Sequence, residues 1–338
     1  MRIQVNARNR GYDFDARAGE RVLYAGLAAG IDLPYECATG TCGTCKAKLV
    51  SGRVRDRWPG APGRRFARQA GEFLMCQCEA EEALTLEVSK FVYPPEPGAC
   101  LPQVCGGTVR EVRALTHDVI GFALELERPG DFDAGQFALL APEGIEGYRA
   151  YSMCNYARGG RRLDFVVKRK ADGAFSEWLF GADREGARLE AFGPLGKATF
   201  EPGLEKNLLC IAGGSGIAGM MSILARADAA DYFSRHEGHV FFGVRTMKDA
   251  FFLDQLSRTK AKVTVALSEE DVAQASAWPK LRFEKGLVHG VAKRAMAGRY
   301  QNVRAYVAGP PPAVDAAIRV LLLDAKLTTD NIRYDKFS

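Results

Sequence analysis

Apolar and polar residues alternate at the amino end in a way that predicts a β-hairpin followed by a helix. Ile3 and Val5 alternate with polar residues before an Arg-Gly turn, and Tyr12 and Phe14 do so after it. Residues 20–29 then space apolar side chains four and seven apart, which predicts a helix that a glycine ends. Two further alternating segments predict strands at residues 46–50 and 84–88.

Two different patterns follow a segment rich in proline and glycine. Up to about Pro202 the chain has short alternating strands with turns, which indicates a small antiparallel barrel. From Asn207 onward, apolar runs alternate with helical stretches, which is typical of a parallel α/β sheet. The predicted strands of the two regions are 108–113, 119–126, 136–140, 163–168, 208–212, 240–242, 262–267 and 303–307. We therefore predict domains at residues 1–92, 107–203 and 204–338, with a linker at 93–106.

Three cysteines in the first domain follow the spacing Cys-x4-Cys-x2-Cys. They are Cys37, Cys42 and Cys45, and this spacing is the one by which a [2Fe–2S] cluster is held in plant-type ferredoxins. Gly40 and Gly43 lie among them, and glycine permits the tight loop that points backbone N–H groups at sulfur. The pattern predicts a one-electron carrier.

A fourth thiolate ligand must come from a distant position. Cys76 and Cys78 are both candidates, and we favour Cys76 because modules that resemble ferredoxins usually take the cysteine directly after the short apolar run. The alternatives are a set of buried cysteines or a zinc site. Zinc sites favour paired Cys-x2-Cys motifs or added histidines, and none of the four histidines lies near the cysteine cluster.

Composition places the chain among ordinary globular proteins. It has 338 residues, of which 47% are hydrophobic and 26% charged, with a net charge of +5. No apolar run approaches the roughly 18 residues that span a bilayer, and the amino end lacks the apolar core of a signal peptide. Nine cysteines without such a signal favour a reducing compartment, so we expect a cytoplasmic protein that does not associate with a membrane. Separately, we expect a monomer.

Six arginines cluster between the third and fourth cysteines. Such a cluster could steer an acidic protein partner, or it could be a solvated loop. Nucleic-acid binding would need more basic charge with interleaved aromatic residues, so we expect none. The arginines are Arg53, Arg55, Arg57, Arg64, Arg65 and Arg68.

The barrel region holds two segments that suit a flavin nucleotide. Arg149, Tyr151 and Ser152 could pair a phosphate, flank an aromatic ring and hydrogen-bond its polar edge. The alternative is a strand with an incidental arginine. Downstream, Gly173 and Ser176 precede a helical pattern, where backbone donors can face a diphosphate.

The α/β region holds two glycine-containing turns after predicted strands. A buried strand enters the run Gly213, Gly214, Ser215 and Gly216, which could admit the diphosphate of a dinucleotide. This run is not the Gly-x-Gly-x-x-Gly fingerprint, and close packing is an alternative role. A second turn, Gly309-Pro310, follows another strand at the edge where ligands of parallel sheets bind.

Together these motifs resemble the ferredoxin–NADP reductase superfamily. With the cysteine module in front, the whole chain is similar to the reductase components of multicomponent aromatic oxygenases. The resemblance implies a multidomain α/β protein with a β-grasp ferredoxin-like domain, an antiparallel β-barrel flavin domain and a parallel α/β nicotinamide-binding domain. It also implies three cofactors, a [2Fe–2S] cluster, FAD and NADH, with FAD preferred over FMN.

The resemblance implies roles for individual residues as well. Lys168 would complete the flavin diphosphate site, and Phe337 would cover the flavin, although a frayed tail is an equal alternative. The set implied by the resemblance is Cys37, Cys42, Cys45 and Cys76 for the cluster, Arg149, Tyr151, Ser152, Lys168, Gly173 and Ser176 for the flavin, and Gly213, Gly214, Ser215, Gly216, Gly309 and Pro310 for the nicotinamide dinucleotide.

The implied function is electron transfer from NADH through flavin and cluster to a terminal oxygenase or its Rieske ferredoxin. A reductase for a deoxysugar dehydratase shares the same modules and stays open, as does a fused electron carrier without flavin. The choice between NADH and NADPH is also open: Arg245 and Lys248 could bind a 2′-phosphate, whereas Asp249 could disfavour it. The resemblance favours NADH.

Overall fold

The computed structural model describes residues 1–272 and 277–336. Its nineteen strands fall into three main sheets that follow one another along the chain, with one small additional sheet. The strands of the first region are β1 (Arg2–Ala7), β2 (Gly11–Asp15), β3 (Lys46–Ser51), β4 (Val54–Asp56), β5 (Glu72–Leu74), β6 (Cys78–Ala80) and β7 (Leu84–Val88), with helix α1 (Val22–Ala28).

The first sheet has the strand order β2-β1-β7-β3-β5. Its central pair, β1 and β7, is parallel, and the outer pairs are antiparallel. Ile3 and Val5 of β1 are fully buried, as the alternation predicts. Helix α1 covers this side of the sheet with six buried residues. Strands β4 and β6 form a separate two-stranded sheet, and the cysteine loop connects α1 to β3.

The second sheet contains six antiparallel strands in the order β11-β10-β13-β8-β9-β12. Its two edges meet, since the N–H of Cys154, just past β11, donates to the carbonyl of Asp164 in β12. This contact closes the sheet into a barrel. The elements are β8 (Gln103–Ala114), β9 (Val119–Gly130), β10 (Phe137–Pro142), β11 (Arg149–Ser152), β12 (Gly160–Lys168), α2 (Ala174–Phe180) and β13 (Arg188–Leu195).

The third sheet is parallel throughout, in the order β17-β16-β15-β14-β18-β19. Alternate residues of β14 face opposite layers: Cys210 packs with α3, and Ile211 packs with α5 and α6. Helices therefore cover both faces, as in doubly wound sheets. The elements are β14 (Asn207–Gly213), α3 (Ile217–Ala229), β15 (Gly238–Val244), α4 (Leu253–Arg258), β16 (Lys262–Leu267), β17 (Arg282–Lys285), α5 (Val288–Ala295), β18 (Val303–Gly309), α6 (Pro311–Arg319) and β19 (Ile332–Lys336).

The boundary of the barrel differs from the sequence-based expectation. Strand β8 begins at Gln103, inside the predicted linker, and Gln103 is in register with Gly193 of β13. The glycines that suggested a linker therefore belong to β8 and pair with β13. Side chains of neighbouring residues lie against them. None of the helices in the described ranges is long and apolar enough to cross a membrane.

Candidate cofactor sites

Four cysteine thiols meet in the first domain as two pairs. In one pair, the thiols of Cys37 and Cys42 are hydrogen-bonded to each other, and the N–H of Cys42 also donates to Sγ of Cys37 at 3.4 Å. In the other, Sγ of Cys45 lies 3.2 Å from Sγ of Cys76. A [2Fe–2S] cluster is held by four thiolates, and two pairs of thiols suit its two irons. The residues therefore fit the cluster.

The loop that carries Cys37 is shaped to stabilise a thiolate. Gly40 has a φ of 88°, a conformation that glycine adopts without strain. The N–H groups of Thr39 and Thr41 both donate to Sγ of Cys37 at 3.4 Å. Hydrogen bonds from the side chains of Cys42 and Thr41 and from the N–H groups of Thr39 and Cys42 lower the pKa of the Cys37 thiol to about 4. Donors of this kind around sulfur also tune a bound cluster.

The structure separates the two candidates for the fourth ligand. Besides its contact with Cys45, Cys76 accepts a hydrogen bond from Nε2 of Gln77 at 3.4 Å. Cys78 lies in β6, paired with Asp56 of β4. Burial raises the pKa of the Cys78 thiol to about 12. The geometry favours Cys76, and nothing in the sequence pointed to Gln77.

Strand β11 presents polar and aromatic groups that suit a flavin. The Oγ of Ser152 is buried and has no hydrogen-bond partner among the described residues. A buried hydroxyl without a partner is costly unless a ligand supplies one. The ring of Tyr151 packs 4.9 Å from the ring of Phe175, which joins β11 to α2. Within the described part of the chain, Arg149 donates only to the carbonyl of Tyr148, at 3.1 Å, so its charge is available to a phosphate.

Gly173 and Ser176 lie together at the start of α2, whereas Lys168 is engaged elsewhere. The Oγ of Ser176 donates to the carbonyl of Gly173 at 3.0 Å and accepts the N–H of Lys170 at 3.1 Å. The Nζ of Lys168 lies 3.1 Å from a carboxylate oxygen of Asp118. The hydroxyl of Ser176 thus stabilises the turn, and backbone N–H groups are the donors left for a diphosphate.

The two turns predicted for the nicotinamide dinucleotide meet at one edge of the parallel sheet. They follow β14 and β18, adjacent strands between which the chain changes direction across the sheet, where ligands of such folds bind. A Cβ at Gly216 would lie 2.4 Å from the carbonyl oxygen of Ala308, and one at Gly309 would lie 2.8 Å from that of Gly213. This edge carries Gly213, Gly214, Ser215, Gly216, Gly309 and Pro310. Phe337 lies outside the described residues.

An ion pair lies just beyond the next strand, β15. Nη2 of Arg245 is 3.0 Å from Oδ1 of Asp249. The other carboxylate oxygen of Asp249 accepts the N–H of Thr246 at 3.0 Å, in a capping box. The charge of Arg245 is therefore balanced by a carboxylate held in place by the backbone.

Residues that join the first domain to the barrel were missed in the sequence. The hydroxyl of Tyr35 accepts the N–H of Gly196 at 3.0 Å, and Lys197 pairs with Asp32 at 2.6 Å. Tyr24 is buried, with its ring 4.8 Å from that of Phe192 in β13. These contacts place the cysteine loop directly beside the end of the barrel. Their partners lie about 160 residues apart in the chain, and no local pattern signals them.

Comparison with known proteins places each domain in a described class. Residues 5–81 match the 2Fe-2S iron-sulfur cluster binding domain, 107–200 the oxidoreductase FAD-binding domain, and 210–319 the oxidoreductase NAD-binding domain. The chain is 38% identical to the ferredoxin–NAD(P)+ reductase CarAd of Metapseudomonas resinovorans, over 95% of both chains. The chain belongs to the ferredoxin–NAD(P)+ reductase components of oxygenase systems. It is an oxidoreductase of the [2Fe–2S], FAD and NAD class.

Other members of the family support this placement over the full length. The alkene monooxygenase reductase component of Xanthobacter autotrophicus is 33% identical, covering 97% of this chain and 99% of its own. The xylene/toluene monooxygenase electron transfer component of Pseudomonas putida is 31% identical, covering 93% and 87%. The solved ferredoxin reductase in carbazole 1,9a-dioxygenase superposes with a TM-score of 0.84 at 34% identity, covering 100% and 99%.

Proposed function

We propose that this reductase takes electrons from NADH and delivers them, through FAD and a [2Fe–2S] cluster, to the terminal oxygenase or the Rieske ferredoxin of an aromatic-ring-hydroxylating system. The observation that supports this order is the position of the paired cysteine thiols. They lie on the domain whose Tyr35 hydroxyl contacts Gly196 at the end of the flavin barrel. The nicotinamide edge lies on the third domain.

When bound, the three groups supply complementary chemistry. A nicotinamide gives up electrons in pairs as hydride, whereas a [2Fe–2S] cluster accepts one electron at a time. A flavin can exchange electrons either in pairs or singly. The protein's task is binding and orientation. Cys37 and Cys42 would bind one iron, and Cys45 and Cys76 the other. The N–H groups around Cys37 stabilise its thiolate charge.

The flavin residues would act through three kinds of contact. Ser152 would donate its unpartnered Oγ–H to the polar edge of the ring system. Tyr151, fixed by Phe175, would lie against the ring. Arg149 and the backbone around Gly173 would bind the diphosphate. No side chain needs to act as a general acid or base.

We infer that NADH is preferred over NADPH. Near β15, Arg245 is paired with Asp249 at 3.0 Å, and the cation that remains for a 2′-phosphate, the exposed Lys248, lies beside the same carboxylate in the chain. A carboxylate at this position repels a phosphate and accepts a hydrogen bond from a ribose hydroxyl. We place the protein in the cytoplasm, where cysteines that form no disulfide, such as these nine, stay reduced. We also expect a monomer.

Reduction of the purified protein tests the proposal. We expect flavin and iron–sulfur absorption in the visible range and bleaching of both by NADH. In Cys42→Ser, reduction of cytochrome c should be lost while reduction of ferricyanide by the flavin persists. Cys100→Ser is the matched control, because the Cys100 thiol lies beside Arg158 of the barrel and is not one of the four clustered thiols.

Two results would contradict the proposal. A wild-type protein whose spectrum NADH leaves unchanged would not be a reductase. Equal loss of cytochrome and ferricyanide reduction in Cys42→Ser would contradict the order in which electrons pass.

A further inference from the structure

Four of the six clustered arginines lie on a turn that contacts the cysteine loop directly. This turn, residues 57–68, includes the 3₁₀ helix Pro62–Phe66 and is called the arginine turn below. The N–H of Gly63 donates to the carbonyl of Gly40 at 2.8 Å. A Cβ at Gly63 would lie 2.8 Å from the backbone N of Gly43. The arginine turn therefore covers one side of the loop that carries Cys42.

The charges of the arginine turn and its flanks are only partly balanced within the molecule. Residues 53–72 contain six arginines and two carboxylates, those of Asp56 and Glu72. Arg64 pairs with Asp56 at 2.8 Å, and Arg57 pairs with Glu146 of the barrel at 2.9 Å. Among the residues that the structure describes, Arg65 and Arg68 have no carboxylate within ion-pair distance. Both side chains are exposed.

Two large aromatic side chains are exposed on the same turn. Trp58 is 43% and Phe66 is 42% exposed, values that are high for residues of this type. The guanidinium of Arg65 lies 4.8 Å above the ring of Phe66. Phe66 also lies over Gly43, with a side-chain atom 2.6 Å from where a Cβ would be. Aromatic residues and arginine together are the residue types enriched where proteins bind each other.

We propose that Trp58, Arg65, Phe66 and Arg68 form the docking face for the acidic surface of the protein that accepts electrons. The inference rests on the proposed function, because only a protein that gives electrons away needs such a face beside its cluster. Unpaired positive charge attracts an acidic partner and orients it. The aromatic side chains then supply apolar contact. Docking here places the partner against the loop that holds Cys42.

Binding to two one-electron haem proteins of opposite charge tests the docking face. The probes are cytochrome b5, which is acidic, and cytochrome c, which is basic, each titrated into the oxidised holoprotein by calorimetry at low and high salt. We expect cytochrome b5 to bind more tightly than cytochrome c and to lose affinity as salt rises. Arg65→Glu/Arg68→Glu should weaken cytochrome b5 binding about tenfold or more.

Three further variants make the test specific. Arg65→Lys/Arg68→Lys retains the charge and should bind cytochrome b5 nearly as the wild type does. Arg65→Gln/Arg68→Gln removes the charge without reversing it. This variant replaces the glutamate variant in the binding measurement if the glutamate variant fails to bind its cofactors. Arg235→Glu/Arg299→Glu is the matched control. Both control arginines are exposed and lie shortly before β15 and β18, at the amino edge of the parallel sheet, and their reversal should change affinity less than twofold.

The outcomes separate this inference from the proposed function. If NADH fails to bleach the wild type, the proposed function fails. If bleaching is normal but the glutamate and glutamine variants bind cytochrome b5 as the wild type does at every salt concentration, the docking face alone is overturned. A short DNA duplex that bound as tightly as cytochrome b5 would likewise overturn it, because the face would then attract any polyanion.

Discussion

At the scale of single residues, two cysteines two positions apart differ in what surrounds them. Sγ of Cys76 lies 3.2 Å from that of Cys45, whereas burial in β6 raises the pKa of the Cys78 thiol to about 12. We expect Cys76→Ser to lose the iron–sulfur absorption and most of the bound iron. Cys78→Ser should retain both, because serine replaces a small buried side chain that is not one of the four paired thiols. Iron content per protein measures the difference, and loss of the cluster in Cys78→Ser would contradict it.

Asp249 is the residue on which the preference for NADH should depend. Its carboxylate holds Arg245 at 3.0 Å. In Asp249→Asn the guanidinium is released, and the amide can still accept the N–H of Thr246. We expect kcat/KM for NADPH to rise about tenfold relative to that for NADH, since one charge pair changes transition-state binding by a few kcal/mol at most. Steady-state kinetics with ferricyanide measure the ratio. Asp231→Asn, near the amino edge of the sheet, is the control, and an unchanged ratio in Asp249→Asn would contradict the assignment.

At the scale of elements, the sequence was most informative where burial is regular. The predicted strand at residues 262–267 coincides with β16, because five of its six residues are buried. Strand β19 was missed, since it has five residues and only Ile332 is buried. The position of β19 in the sheet is set by its pairing with β18. The early start of β8 was not predicted, because glycines such as those at its beginning are typical of a linker. In the structure these glycines pair with β13.

The close approach of two turns gives a prediction for the nicotinamide edge. A Cβ at Gly216 would lie 2.4 Å from the carbonyl oxygen of Ala308 and 2.7 Å from the N of Gly309, so the backbone of β18 would have to move. We expect Gly216→Ala to raise KM for NADH and to lower stability by about 1–3 kcal/mol, as overpacking does. Gly203→Ala is the matched control, because nothing lies within 4 Å of its Cβ position. Thermal unfolding and NADH kinetics measure both effects. An equal response of the two variants would contradict the close packing.

At the scale of the whole molecule, the cofactor motifs were predictable but the junctions between domains were not. Cys37, Ser152 and Gly213 each lie in a short segment whose composition suits its ligand. Tyr35 meets Gly196 only because the first domain and the barrel pack against each other. A single tyrosine carries no local sign of such a contact, so the sequence predicted the three domains and left their arrangement open.

One of these junctions should make stability depend on pH. Asp335 of β19, in the third domain, lies near Glu36 of the cysteine loop in the first. Burial raises the pKa of Asp335 from 3.8 to about 7, and the negative charge of Glu36 adds to the increase. Its neighbour Lys336 does not compensate, because Lys336 pairs with Asp315 at 2.6 Å. The folded protein thus holds a proton on Asp335 that the unfolded chain releases near pH 4.

The sign of the effect follows from this difference in proton binding. A group whose pKa is raised on folding contributes most to stability below its unfolded pKa, and the contribution is lost as the pH rises to 7. Asp335→Asn should therefore unfold at nearly the wild-type denaturant concentration near pH 4. At pH 8 it should be more stable by on the order of 2 kcal/mol, a value reduced for partial exposure. Urea unfolding across this pH range measures the difference, with Asp330→Asn as an exposed control in the preceding turn. A stability difference that is the same at pH 4 and pH 8 would show that the junction does not bury this carboxyl group.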